Sequence, residues 1–342
     1  MVQNKFPSYS DTVMYKEIKQ AGDAVLNTLD TIRSKIEEAH SLISNADFLL
    51  ITGSGTSYHA GLIAQIYFIH RGIVSIAFRA PEMAEYLPAG NKKPVCILIS
   101  QSGDSIDIVN ALNLCKANGI KTIGITNMEH STLARECDVS LITGASEEKS
   151  LAATKSHIAQ LTALYALANY NQSGDLEKIR KTLNELVDKI RAILDLSGDI
   201  SVIGKDLAQG RLVFLGDGLL HAVAMEGALK FEETANLITE AFPIGEYLHG
   251  PIQILKEEDT VIILLSDHNA TATRVIGRIL QQTQHVIRIG FDADCDIKLP
   301  QPPSKELYPV EAVIPIQLMA NAKTVALGLS PDNPTHLSKV VH

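Results

Sequence analysis

The sequence predicts an α/β protein built from two copies of one domain, each a parallel sheet with helices on both faces. Three observations carry this expectation. Short apolar runs rich in β-branched residues alternate with stretches whose apolar residues recur three and four apart, the strand-then-helix alternation of a parallel sheet. The junctions between run and stretch are rich in glycine and hydroxyl residues. The pattern also occurs twice: "DFLLIT" and "VCILIS" enter such junctions in the first half, and "LVFLG" and "VIILLS" do so in the second.

Taken in order, residues 1–36 form an N-terminal helical segment, and residues 37–170 hold the first domain. The polar, charged stretch 171–200 reads as a linking helix. Residues 201–330 hold the second domain, and residues 331–342 form a tail.

The first junction is "LLITGSGTSYHAG". Gly53 and Gly55 let the backbone approach a ligand, and Thr56 and Ser57 add hydroxyl donors. The helix that follows begins with N–H groups that lack intrahelical partners, and with the helix dipole they favour a phosphate. A plain capped turn is the alternative. The second junction, Ser100, Gln101, Ser102, Gly103 and Ser105, repeats the chemistry on a second strand of the same half. Ligands of such sheets sit at the carboxyl ends of strands, which favours phosphate over mere capping. No Lys-Ser/Thr pair follows the glycines, so this is not a P-loop. Tyr58 stands where a dinucleotide fingerprint needs a small residue, and "IVSIAFRA" ends in basic Arg79, so no nicotinamide cofactor is expected.

The second half differs. "GDGLL" and "SDHNA" carry aspartates that would repel a phosphate, so this domain is expected to supply something else. In "EGALKFEETANL", Glu226, Lys230 and Glu233 share one helical face. They form either an exposed ion-pair face or a carboxylate held at the ligand edge as a general base. His249 lies in the glycine-bounded loop "GEYLHGP", and on spacing alone a catalytic and a structural histidine both stand.

Composition narrows the class. The chain has 342 residues, 46% hydrophobic and 20% charged, enough for two ordinary domains. A net charge of −9 without a basic stripe argues against nucleic acid. No apolar run spans a bilayer and the start lacks a signal-peptide core, so the expectation is a cytoplasmic protein without membrane contact. Cys96, Cys115, Cys137 and Cys295 have no metal spacing; no metal and no cofactor are expected.

"GSGTSYHAG", "SQSGDS", "AATK", "EGALKFEE", "GEYLHGP" and "HLSKVV" occur in that order. With this set the chain resembles the double sugar-isomerase (SIS) domain family, most closely the isomerase half of the glutamine–fructose-6-phosphate aminotransferases, over nearly its whole length. The resemblance implies two tandem SIS-type domains that bind a sugar phosphate. It assigns substrate binding to Gly55, Thr56, Ser57, Ser100, Gln101, Ser102, Ser105, Ala152 and Ser338. It assigns proton transfer between C1 and C2 to Glu233 and ring opening to His249, contributed across the interface of a homodimer. It gives Lys339 an imine with the open ketose. The tail "LSKVVH" departs from the family's pattern. The first cysteine is Cys96 and the isomerase half begins almost at once, so no glutaminase domain is expected. The implied activity is a phosphosugar isomerase/deaminase on an amino-sugar phosphate such as glucosamine 6-phosphate. Its alternatives are a fructosamine-6-phosphate deglycase, or a non-catalytic binding subunit or sensor.

Overall fold

The computed structural model describes residues 8–173, 176–208, 210–266 and 269–339. Within the second-half junction Asp267 and His268 lie outside the described residues, as do Val340 to His342 of the tail. The described chain runs α1 (Val13–Ile18), α2 (Ala21–Ile32), α3 (Ile36–Ser44), β1 (Leu49–Gly53), α4 (Thr56–Ile69), β2 (Ser75–Arg79) and β3 (Val95–Ile99). It continues α5 (Ile106–Ala117), β4 (Lys121–Thr126), α6 (Thr132–Glu136), β5 (Val139–Ile142), α7 (Lys155–Ser173), α8 (Leu176–Asp195) and α9 (Ser197–Lys205). The second half is β6 (Leu212–Leu215), α10 (Leu219–Ala235), β7 (Thr239–Phe242), β8 (Thr260–Leu265), α11 (Ala270–Ile279), β9 (Val286–Gly290), β10 (Ile297–Lys298) and α12 (Tyr308–Ala326). The stretch 171–200 thus holds the end of α7, the whole of α8 and the start of α9.

Two compact units emerge. One comprises Gln20–Glu148, Ala153–Val187 and the chain from Ser338; the other comprises the described residues up to Lys19, Lys149–Ala152 and Asp188–Leu337. The first unit holds a parallel sheet of order β2-β1-β3-β4-β5. The second holds a parallel sheet of order β10-β9-β8-β6-β7. Read from its other end, the second order is the first with each strand replaced by the one five later, so both halves share one topology. Each chain path leaves its first strand toward one edge and returns to the other side. The carboxyl ends of β1 and β3, and of β6 and β8, therefore flank a topological switch point.

Burial follows the strand patterns. All residues of β1 and β3 are buried, as are those of β6 and β8, because helices cover both faces. Leu50, Cys96, Leu98, Ile108 and Leu112 are among the core of the first unit; Val213, Leu215, Val261, Ile263 and Val275 are among that of the second. In the second unit α10 lies directly on β6. A Cβ at Gly227 would stand 2.8 Å from the Phe214 ring, so only glycine permits that approach.

Helix α12 is buried from Tyr308 to Thr324 and carries an acid, Glu311, inside that buried run. The Glu311 carboxyl is fully buried, and neither of its oxygens has a hydrogen-bond partner among the described residues. Burial pushes it up to about 8, with the Lys189 ammonium pulling the other way.

Candidate functional site

In the first unit, β1 and β3 pair in parallel with Gly53 opposite Ile99, which sets the two glycine-hydroxyl loops side by side at the carboxyl edge. A Cβ at Gly53 would stand 2.9 Å from Ile99 O, so the glycine permits this close pairing. Gly55 caps α4 with φ 53° and ψ −127°, a region closed to side chains with a Cβ. Thr56 opens α4 half-buried. Ser57 is buried, and its Oγ accepts a hydrogen bond from Gln160 Nε2 of α7 at 3.0 Å. The hydroxyl expected to face a ligand thus also ties α4 to α7.

The second loop is shaped by its own serines. Ser100 Oγ accepts the Gly103 N–H at 3.0 Å, and Ser102 Oγ accepts the Asp104 N–H at 3.4 Å. The Gln101 carbonyl accepts from Asn127 N at 3.1 Å and Thr126 Oγ1 at 3.2 Å, which joins the loop to the end of β4. Ser105 is the N-cap of α5 but makes no side-chain capping bond. A cation stands beside the loops: Arg79 pairs with Gly53 across β1 and β2, and its guanidinium lies 4.6 Å from the centre of the Tyr58 ring. Burial raises the Tyr58 phenol above its ordinary value although Arg79 opposes it. Sequence reasoning weighed Arg79 only against a nucleotide; its nearness to Gly53 comes from strand pairing.

A second residue was missed altogether. Glu148, in the loop between β5 and α7, has a fully buried side chain. Lys339 Nζ lies 3.6 Å from its Oε2. No spacing signal links residues so far apart in the chain. Ser338 beside Lys339 is exposed. Ala152 is fully buried, and its carbonyl accepts Ser150 Oγ at 2.8 Å. It belongs to the short segment Lys149–Ala152 of the other unit.

In the second unit α10 begins after Gly218, whose φ of 56° and ψ of −122° repeat those of Gly55. Asp217 beside it accepts the Ile244 N–H at 2.8 Å. Along α10 the shared face is an ion-pair triad. Lys230 is fully buried, with Nζ 2.5 Å from Glu233 Oε2 and 3.4 Å from Glu226 Oε1. Burial alone would push the lysine down; the two carboxylates outweigh it and hold its pKa above the ordinary lysine value. Glu226 is fully buried, whereas the Glu233 side chain keeps 21% exposure. Neighbouring Glu232 accepts Thr239 Oγ1 at 2.9 Å and so braces the helix against β7. Glu233 is therefore the acid of the triad that reaches the surface of its unit. His249 ends a short 3₁₀ turn, Glu246–His249, just before Gly250 at φ 146°. It is exposed and makes no hydrogen bond or ion pair among the described residues.

Each unit thus has a parallel sheet of the same order, the first with hydroxyl loops at its switch point and the second with an acid–lysine–acid triad along α10, the plan of a tandem α/β protein. The SIS domain model matches residues 42–170 and 207–322, and the chain belongs to that family. It is 34% identical over 343 residues to a glutamine–fructose-6-phosphate aminotransferase (isomerizing) of Pyrobaculum aerophilum, covering 96% of this chain and 57% of the relative. It is 33% identical over 345 residues to that of Aquifex aeolicus, with the same coverages. The chain thus spans little more than half the length of these relatives. Among solved structures it resembles the C-terminal domain of the glucosamine-fructose-6-phosphate aminotransferase of Francisella tularensis: TM-score 0.84, 25% identity, 96% of this chain and 100% of that one. It shares its fold with a tagatose-6-phosphate ketose/aldose isomerase of Escherichia coli: TM-score 0.81, 24% identity, 97% of each chain.

Proposed function

We propose that the protein is a phosphosugar isomerase/deaminase acting on an amino-sugar phosphate such as glucosamine 6-phosphate. The observation that carries this reading is the exposure of Glu233 from an otherwise buried triad. A carboxylate that meets a ligand while its lysine partner is locked below it can take up and return a proton at one place. The relatedness to isomerizing aminotransferases points the same way.

In this reading the α4 and α5 loops hold the phosphate, and that binding energy orients C1 and C2. Glu233 removes the proton from C2 of the open-chain 2-amino aldose, giving an enolamine, and returns it to C1. The resulting ketimine takes up water and releases ammonia, leaving fructose 6-phosphate; the reverse direction fixes free ammonia. His249 assists ring opening from the neighbouring subunit of a homodimer, and Lys339 forms an imine with a ketose. Ser338, exposed beside Lys339, completes the substrate contacts, whereas Ala152, fully buried, supports its loop through the Ser150 hydroxyl instead of touching the sugar.

The test is incubation of the pure protein with a panel of hexosamine and fructosamine 6-phosphates. Glucosamine 6-phosphate should give stoichiometric ammonia and fructose 6-phosphate. Release of glucose 6-phosphate from a fructosamine 6-phosphate alone would make the protein a deglycase instead, and binding without turnover would make it a sensor or a subunit.

A further inference from the structure

Glu148 lies outside both glycine-hydroxyl loops. Its carboxylate accepts four hydrogen bonds: from Thr154 N–H at 2.9 Å and Oγ1 at 3.1 Å, and from Ser156 N–H at 3.1 Å and Oγ at 2.5 Å. Thr154 and Ser156 flank Lys155, the first residue of α7, so the carboxylate sits at that helix's positive end. The same helix reaches Ser57 of the first loop through Gln160. Removing a carboxylate from water costs several kcal/mol unless it is paired and hydrogen-bonded. Four donors from its own unit meet that cost. The anion is therefore a fixed feature, and Lys339, whose side chain keeps 30% exposure, is the adaptable partner.

We propose that Glu148 is a positioning residue for Lys339. It draws the ammonium, and with it the chain end, onto the start of α7, in the unit that carries the phosphosugar loops. The proposal rests on the reading of Lys339 as the imine-forming lysine. The chemistry needs no net proton from Glu148. A lysine ammonium and a ketose carbonyl give an iminium and water, and two of the three ammonium protons leave with the carbonyl oxygen. Three of the four donors fall on Oε1 and only Ser156 Oγ falls on Oε2, so Oε2, the oxygen that faces Lys339, keeps a lone-pair site toward the ammonium. The open side of this fixed anion holds the lysine, and the balanced step leaves no proton for Glu148 to take.

Two readouts on Glu148→Gln decide the matter. The first uses no substrate: the rate at which dilute acetic anhydride acylates Lys339, followed by mass spectrometry of the C-terminal peptide. We expect a several-fold rise once the ion pair is gone; an unchanged rate overturns the proposal. The second uses fructose 6-phosphate with borohydride, alongside steady-state kinetics. Misplacing a reacting group by about 1 Å costs roughly 10²-fold, so trapping and kcat should fall on that scale while KM stays within about threefold. Equal loss of affinity for sorbitol 6-phosphate, which has no carbonyl, would mark collapse of the whole site and overturn the proposal. Should Glu148→Gln fail to fold, Glu148→Asp keeps the charge but withdraws it by a methylene, and the same two readouts apply. Absence of trapping in the parent strikes the imine assignment, and the acylation contrast then decides the positioning by itself.

Discussion

Gly55 and Gly218 adopt the same backbone conformation, φ 53°, ψ −127° and φ 56°, ψ −122°, each immediately before the first helix that follows its sheet's first strand. The second half keeps the backbone of the first loop, with Asp217, Leu219 and Leu220 where the first half has Ser54, Thr56 and Ser57. Conformation and chemistry have thus been separated between the copies. A Cβ at Gly218 meets nothing within 4 Å, so Gly218→Ala should act through the backbone alone. We expect a loss of about 1–3 kcal/mol in urea unfolding. An unchanged midpoint would mean that alanine reaches this conformation freely.

Ser102 is only half-buried and stands between Ser100 and Gly103 in the second loop. Ser102→Asp places a negative charge where the reading puts phosphate. Like charges brought together cost several kcal/mol. Phosphosugar affinity, followed by calorimetry, should therefore drop by about 10²-fold or more, and retained affinity would remove the phosphate assignment from this loop.

Glu233→Gln keeps shape but removes the base. Turnover should fall by about 10²–10⁴-fold, the usual range for a general base. The direct check is solvent deuterium exchange at C1 or C2 of the bound sugar. Exchange as fast as in the parent would move the proton shuttle to another group.

Glu311 gives a pH prediction with a definite sign. Its folded-state pKa of about 8 lies above the ordinary 4.5, so the folded protein binds more protons than the unfolded chain between those values. Stability conferred by the neutral form is complete below the lower value and lost as pH rises toward 8, at up to about 1.4 kcal/mol per pH unit. Glu311→Gln cannot ionise. Relative to the parent it should gain stability between pH 5 and pH 8 in denaturant titrations, and a pH-independent difference would refute the assignment.

The exposed His249 bears on assembly. If it serves a neighbouring subunit, co-refolding inactive Glu233→Gln and His249→Ala chains gives hybrid dimers in which one site has both groups. Random pairing should restore about a quarter of the parent activity under twofold symmetry. No recovery, with hybrids confirmed by mass, would place both groups in one chain's site.

The strands and the doubled plan were legible because a parallel sheet buried on both faces demands continuous apolar runs, and all five residues of β1 and of β3 are buried. The triad was legible because Glu226, Lys230 and Glu233 are local, and helical geometry alone aligns them. Their burial was not, since it depends on how α10 packs, which Gly227 against Phe214 decides. Glu148 was invisible for a different reason. Its donors come from an irregular loop and a helix start, and its cation comes from the far end of the chain. No period in the sequence brings such groups together.

The carboxylate at the start of α7 acts as a tethered competitor. A free phosphate visiting that helix end would have to displace a ligand that belongs to the chain and is never diluted, and local concentration set by a short tether greatly outweighs what a solute supplies. At α4 the loop Ser54–Ser57 holds glycine and hydroxyl residues, and before α5 the loop carboxylate of Asp104 is engaged elsewhere, by the Thr132 N–H at 2.8 Å. A helix end filled in advance by its own chain is closed to an anion from outside.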